Sequence, residues 1–351
     1  MTEAPKAKMS YVRLGNSGLK VSKIILGCMS YGLKGWADWV LDEEEAIKHI
    51  KYAHDAGIQT FDTANVYSNG HSEVILGNAI RKLGLRREEL VIMTKLSGAM
   101  STDPNVNIFR SGKTPQEFGI INQIGLNRKH VFDSVKASLK RLQVDYIDVL
   151  QCHRFDVTTP IEEVMQALHD VVQAGYVRYI GMSSCHAYQF HAMQNYAINN
   201  KLTPFISMQN HYNLVYREEE REMIPTLKMF GVGSIPWSPL ARGLLTRPFS
   251  VTTEKGTSRT KSDAWVHGYT GPGTPAVVAR VEELAQKKGA TMAQIALAWE
   301  LAKDGVTAPI VGTTNLQNLK EIIDALDIKL TDEEIKYLEE QYQPTAIFGH
   351  Q

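Results

Sequence analysis

Strand-like runs alternate with helical patterns eight times, and the runs are rich in Ile, Val and Leu without strict polar alternation. That is the signature of a parallel sheet covered on both faces, so the chain is predicted to be α/β, a (β/α)8 TIM barrel with an N-terminal β-hairpin and long loops on the C-terminal face. An open doubly wound sheet is the structural competitor. Against it, the first strand ends in Gly27-Cys28-Met29-Ser30-Tyr31-Gly32, with no GxGxxG turn. Residues 1–351 are expected to form a single barrel domain.

The elements follow in order. YVRLGNSGLKVSKIILG has two short apolar runs around Gly15-Asn16-Ser17-Gly18, which reads as a hairpin feeding a strand at Ile24–Gly27. Further strands are expected at 60–64 (TFDTA), 90–95, 146–153, 177–184, 205–210, 233–238 and 308–312. Between them, Ala46, Ile47, Ile50 and Ala53 share one helical face, as do Val131, Val135, Leu139 and Leu142. Thr159-Pro160 ahead of Glu162 and Glu163 reads as an N-cap followed by Pro at the first helical position. Thr331-Asp332-Glu333-Glu334 reads as a capping box opening a last helix. Residues 97–129, 240–275 and 341–351 fit no element and are expected as loops or tail at the mouth of the barrel.

Composition excludes several classes. The 38 basic and 38 acidic side chains cancel, which argues against nucleic-acid and anionic-membrane partners. No apolar run is long enough for a membrane span, and the opening residues lack the apolar core of a signal peptide, so a cytoplasmic location is expected. Cys28, Cys152 and Cys185 are too few and too scattered for a disulfide framework or a CxxC zinc site. Cys152-His153 is no metal pair either, because neighbours on a strand point to opposite faces. No metal is expected.

Titratable residues concentrate at strand ends. Asp62 closes the second barrel strand, Tyr67 follows five residues later, Lys95 closes the third strand and His153 the fourth. Singly each has a bland reading: a helix cap, a core aromatic, a rim lysine, a satisfied core histidine. Together, at successive strand ends, they make a proton-transfer site. An ordinary tyrosine, with pKa about 10, is a poor acid at neutral pH, and an adjacent ammonium favours its ionised form. An Asp–Lys pair holds that ammonium charged, and a histidine on the next strand orients a carbonyl oxygen. Tyr67 is then the natural general acid.

FDTANVY, the TK dipeptide and the strand-terminal histidine resemble the aspartate–tyrosine–lysine–histidine tetrad of the aldo-keto reductases, (β/α)8 barrels that use NADPH. The resemblance runs from RLGNSGLKVS through GMSSC, SMQNHYN and PWSPLARGLLTR to IVGTTNLQNLKEI, and GCMSYG, WADWV, YSNG, GLNRKH and HRFD are similar to the fungal aryl-alcohol dehydrogenase-like branch. It implies Asp62, Tyr67, Lys95 and His153 as catalytic residues. For the cofactor it implies Gly27, Cys28, Met29 and Asp62, then Ser183, Ser184 and Gln209 on the nicotinamide carboxamide, with Trp237 stacked under the ring. Ser238, Pro239, Leu240, Arg242, Gly243 and Arg247 resemble its pyrophosphate loop, extended by Arg259 and Lys261.

At the adenosine end the resemblance implies Gly312, Thr314, Asn318 and Glu321, but this end departs from the family pattern. Asn318 stands where relatives carry Gln or Arg, and Ile322 where they carry Asn. Neither supplies charge for a 2′-phosphate. NADPH/NADP+ is therefore the expected cofactor by family, with NADH as the alternative and Lys320 or the 240–275 loop as the compensating charge. Tyr31, Trp36, Trp39, His153 and the 97–129 loop are expected to meet an aromatic or bulky carbonyl or alcohol substrate. A monomer or weak homo-oligomer is expected. Two other readings stay open: an aldolase-type barrel with Lys95 as a Schiff-base amine, and a cofactor-binding regulatory subunit resembling potassium-channel β subunits.

Overall fold

Short apolar runs and glycine turns build the base of the molecule. β1 (Tyr11–Arg13) and β2 (Lys20–Ser22) pair antiparallel, as the hairpin pattern predicts. Gly15 turns between them at φ 58°. A Cβ there would meet the Gly231 carbonyl oxygen at 2.5 Å and the Gly233 nitrogen at 2.7 Å. Only glycine tolerates both that φ and that approach. The computed structural model describes residues 9–254 and 268–350, so Arg259 and Lys261 lie outside the described residues.

Eight parallel strands follow: β3 (Ile25–Gly27), β4 (Thr60–Asp62), β5 (Val91–Leu96), β6 (Ile147–Cys152), β7 (Val177–Ser183), β8 (Phe205–Gln209), β9 (Gly233–Ser234) and β10 (Ile310–Val311). Their order is β10-β3-β4-β5-β6-β7-β8-β9. The last strand thus lies beside the first, and the Ile310 N–H donates to the Pro236 carbonyl at 2.8 Å beyond the end of β9. The sheet curls back on itself, as a (β/α)8 barrel requires. The strands expected at 233–238 and 308–312 shrink to two residues each. Pro236 and Pro309 explain this, because neither has an N–H to give to a ladder.

Around the sheet run α1 (Glu43–Asp55), α2 (His71–Lys82), α3 (Arg128–Leu142), α4 (Ile161–Gln173), α5 (Ala187–Asn199), α6 (Met223–Phe230), α7 (Phe249–Glu254), α8 (Thr274–Lys288), α9 (Met292–Ala302), α10 (Leu316–Asp324) and α11 (Asp332–Glu339). Ala46, Ile50 and Ala53 of α1 and Val131, Val135 and Leu142 of α3 are buried; Ile47 and Leu139 are partly so. Thr331 and Glu334 cap α11 reciprocally, at 3.2 and 2.9 Å. The start of α4 differs from expectation. Pro160 occupies the cap position, and the Thr159 hydroxyl donates to Asp156 at 2.7 Å. That bond to the carboxylate holds the threonine side chain in the preceding loop, and it caps no helix N–H.

A two-residue period decides what faces inward. Val91, Met93 and Val149 fill the barrel floor with Ile25, Ile235, Ala308 and Ile310, plugged from below by Leu14 and Val21 of the hairpin. Ile92, Leu96, Leu150 and Cys152 instead join the outer core under the helices. The inward series continues upward to Lys95 on β5 and to Gln151 and His153 on β6. Cys152 and His153 accordingly point to opposite sides.

The 97–129 insert is less irregular than its composition implies. Turns of 3-10 helix at Ile108–Arg110 and Pro115–Phe118 enclose a small core of Ala99, Ile108 and Ile120. Asn69 ties the insert to the turn after β4 by donating to the Val106 carbonyl at 2.8 Å. Among the described residues no helix is long and apolar enough to cross a membrane. Leu14→Ala removes a fully buried side chain from the hairpin plug and should cost about 2–5 kcal/mol in denaturant unfolding. The same change at Leu316, which is 40% exposed, should shift stability by less than about 1 kcal/mol.

Candidate functional site

One buried ion pair organises the mouth of the barrel. β4 pairs with β5 so that Asp62 sits opposite Met93. Lys95, two residues further up the same face, reaches back to it. Its Nζ donates to Asp62 Oδ2 at 2.6 Å, to the Thr63 carbonyl at 2.8 Å and to the Tyr67 hydroxyl at 3.2 Å. All three N–H bonds of the ammonium are therefore used. The other carboxylate oxygen, Asp62 Oδ1, accepts from Gln151 Nε2 at 2.9 Å and Gln209 Nε2 at 2.8 Å. Gln209 Nε2 also donates to Gln151 Oε1 at 2.9 Å, which closes the network.

Lys95 is fully enclosed, and burial opposes its charge. Asp62 and Tyr67 outweigh that effect and hold its pKa above the usual lysine value. An imine-forming lysine must shed its proton, so this environment works against the Schiff-base reading. His153 shows the opposite shift. Burial, then the Arg154 and Lys95 charges, push its pKa well below the ordinary imidazole value. The ring is therefore neutral at pH 7 and stands edge-on to Tyr67 at 5.8 Å.

Above this network opens a cavity of about 670 Å³. Gly27, Met29, Asp62, Tyr67, His153, Ser183 and Gln209 line it, together with Trp39. Trp237, Ser238, Pro239, Leu240, Arg242, Gly243 and Arg247 line it too, as do Gly312, Thr314, Asn318, Glu321 and Ile322. Trp237 stacks on His211 at 4.1 Å and 10°, and its Nε1–H donates to Ser184 Oγ at 2.8 Å. The loop beside it is strained: Ser238, Ala241 and Arg242 all have φ between 45° and 57°. Non-glycine residues rarely hold that conformation, and such strain gathers at ligand sites.

Several predicted site residues lie elsewhere. Tyr31 is fully buried, packed edge-on to His49 at 6.0 Å, and does not line the cavity. Its neighbour Cys28 is also fully buried; both point away from the mouth because the chain turns outward after β3. Trp36 packs edge-on to Trp39 at 6.3 Å instead of lining the wall. Ser184 holds the Nε1 edge of Trp237, at φ 46°, a conformation that asparagine adopts more readily. Lys320 and the 97–129 insert contribute nothing to the lining. Gln151, His211 and Arg154 are the residues the sequence reading passed over. Gln151 carried a signal, since it shares the inward parity of His153. His211 carried none, because its stack with Trp237 joins residues from different strands.

The curled sheet of eight parallel strands thus carries a buried Asp–Tyr–Lys–His arrangement at its C-terminal end. The sequence model of the Aldo/keto reductase family matches residues 23–343. The chain is 52% identical over 347 residues, 97% of each chain, to a Schizosaccharomyces pombe protein that carries the provisional name aryl-alcohol dehydrogenase. It is 48% identical over 343 residues to versiconal hemiacetal acetate reductase of Aspergillus parasiticus, covering 97% of this chain and 98% of that one. An aldo-keto reductase of Fusarium vanettenii is 45% identical over 353 residues, covering 98% and 94%. The chain belongs to the aldo/keto reductase family and is an oxidoreductase of that family, with relatives named as aryl-alcohol dehydrogenases.

The neutral His153 has a consequence for stability. The unfolded chain binds a proton at this position near pH 6.5, while the folded chain resists it, so stability falls as pH drops below about 6.5. One such group contributes at most about 1.4 kcal/mol per pH unit. His153→Gln should lose less stability than wild type between pH 7.5 and 5 in parallel denaturant titrations.

Proposed function

We propose that the chain is an NADP(H)-dependent carbonyl reductase, or alcohol dehydrogenase in reverse, acting on an aromatic or bulky aldehyde or ketone. The observation that carries this reading is the Tyr67 hydroxyl, which faces the cavity with the Lys95 ammonium 3.2 Å behind it. Trp39, Tyr67 and Trp237 give the cavity aromatic walls, which suit an aromatic body.

The residues present fit a nicotinamide cofactor. One face of Trp237 is covered by His211, and Trp237 lines the cavity beside Ser183 and Gln209. The Ser183 hydroxyl donates to the Gln209 backbone carbonyl at 2.9 Å, and the Gln209 amide nitrogen is spent on Asp62 and Gln151. What these side chains retain are acceptor sites on Ser183 Oγ and Gln209 Oε1, matched to the N–H2 of a carboxamide. Arg242, Gly243 and Arg247 would take the pyrophosphate, and Gly312, Thr314, Asn318 and Glu321 the adenosine end. When bound, a reduced nicotinamide supplies the hydride.

Every other part of the reaction falls to this chain's own groups. The neutral His153 ring donates a hydrogen bond to the carbonyl oxygen and turns it toward Tyr67. Tyr67 gives that oxygen its proton, and the Lys95 ammonium stabilises the oxyanion left behind. Asp62 keeps Lys95 charged and in place, while Gln151 and Gln209 fix Asp62 in turn. NADPH is the proposed cofactor, with the basic 240–275 loop, of which Arg242 and Arg247 line the cavity, as the source of charge for its phosphates; NADH is the alternative to be assayed beside it.

Tyr67→Phe should lower kcat/KM for benzaldehyde by a factor of about 100 or more while leaving NADPH binding, followed by fluorescence, near wild type. Turnover within a few-fold of wild type would remove Tyr67 from the chemistry. An intact cofactor affinity with no turnover of any aldehyde or ketone by the wild type would favour the regulatory-subunit reading.

A further inference from the structure

One cation in the cavity wall is unused by the reaction as proposed. Arg154 directly follows His153, and its side chain lines the same cavity. Among the described residues its guanidinium makes one hydrogen bond, from Nη1 to the His153 carbonyl oxygen, and no ion pair with a carboxylate. The nearest acid in sequence, Asp156, is fully used. Its Oδ1 accepts from the Thr158 N–H and hydroxyl at 2.9 and 2.6 Å, and its Oδ2 from the Leu126 N–H and the Thr159 hydroxyl, each at 2.7 Å.

Among the described residues no other carboxylate forms an ion pair with Arg154 either. Lys95 already holds Asp62, and His153 is neutral. His350 of the C-terminal tail, edge-on to His186 at 4.9 Å, is held neutral by burial, with a pKa down to about 4, and its Nδ1 is buried without a partner. Burial, with the Arg242 charge adding to it, brings Arg154 down to about 10, so it stays a cation at neutral pH. Its Cζ lies 6.0 Å from the Trp237 ring centre, over the aromatic wall. Arg154 is half-buried and faces the cavity without a paired carboxylate among the described residues, so an entering anion gains a charge-assisted contact there.

We propose that Arg154 selects the substrate by binding a carboxylate carried on the aldehyde or ketone, which makes the substrate class oxo-acids, aromatic ones above all. This rests on the reductase reading, and the carboxylate takes no part in the redox step. The carbonyl carbon gains the hydride and its oxygen gains the Tyr67 proton, while the carboxylate anchors the far side of the molecule in the planar fork of the guanidinium.

The test compares 4-carboxybenzaldehyde with 4-methylbenzaldehyde under NADPH, in wild type, Arg154→Met and Arg154→Lys. Benzoate and benzamide are titrated by tryptophan fluorescence in the presence of NADP+, and melting curves report folding. Wild type should favour the carboxylate substrate about tenfold or more in kcat/KM, and Arg154→Met should cut that ratio at least about tenfold, with partial recovery in Arg154→Lys. Wild type should bind benzoate over benzamide, and Arg154→Met should not.

An unchanged substrate ratio overturns the proposal. So does an equal slowing of both aldehydes with a shifted pH profile, which would make Arg154 a positioning residue for Tyr67, and so does weakened NADPH binding, which would assign it to the cofactor. Benzoate selectivity lost in Arg154→Met, without turnover of either aldehyde, would uphold the anion site and sink the reductase reading alone. Should the methionine variant fail to fold, wild-type preference for benzoate together with weakened preference in Arg154→Lys supports the proposal, and its absence overturns it.

Discussion

The Asp62–Lys95 pair is the constraint around which the mouth of the barrel is built. Both side chains are almost fully buried, at 2.6 Å, and removing either partner of such a pair typically costs about 3–5 kcal/mol. The protein meets this cost by satisfying the pair completely. Lys95 spends its three protons on Asp62, Thr63 and Tyr67, and Asp62 takes two glutamine amides on its other oxygen. Four barrel strands, β4, β5, β6 and β8, thereby share one polar network. Tyr67 is the hydroxyl that this network brings into the cavity lining, beside Asp62 and Gln209.

The wall opposite is held by a different device. Trp237 is fixed on one face by His211 and at its Nε1 edge by Ser184, both on neighbouring strand ends. Beyond it the chain runs through three non-glycine residues at positive φ before Gly243 at φ 100°. A strained 3-10 segment, Ala241–Thr246, anchored by a stacked indole, presents Arg242 along the cavity, with Arg247 just beyond its end. Phe348 of the tail packs edge-on to His211 at 4.7 Å, so the last residues of the chain also steady this wall.

Much of this was legible in the chain, and the physics explains which parts. Strand parity predicted that Cys152 and His153 face opposite ways, because a two-residue period needs no tertiary information. Capping chemistry located α11 at Thr331, where donor and acceptor lie within one turn. The same reasoning misplaced the start of α4, because Asp156, brought close by the loop, competed for the Thr159 hydroxyl. Tyr31 and Trp36 read as mouth aromatics from their position after a strand end. Yet the path of the loop buries one against His49 and sets the other behind Trp39.

The sequence by itself determined the alternation of strands and helices, the inward face of each strand and the residue types at strand ends, all consequences of local periodicity and turn chemistry. Only the tertiary structure decided which of those residues meet. Curling the sheet brings β10 beside β3 and stacks residues from distant strands, so Gln151 and Gln209 converge on Asp62 across 89 and 147 residues. It also leaves Arg154 facing the cavity with its neighbouring acid already taken. Burial and mutual distance set the charge each group carries, and neither is written in the order of the residues.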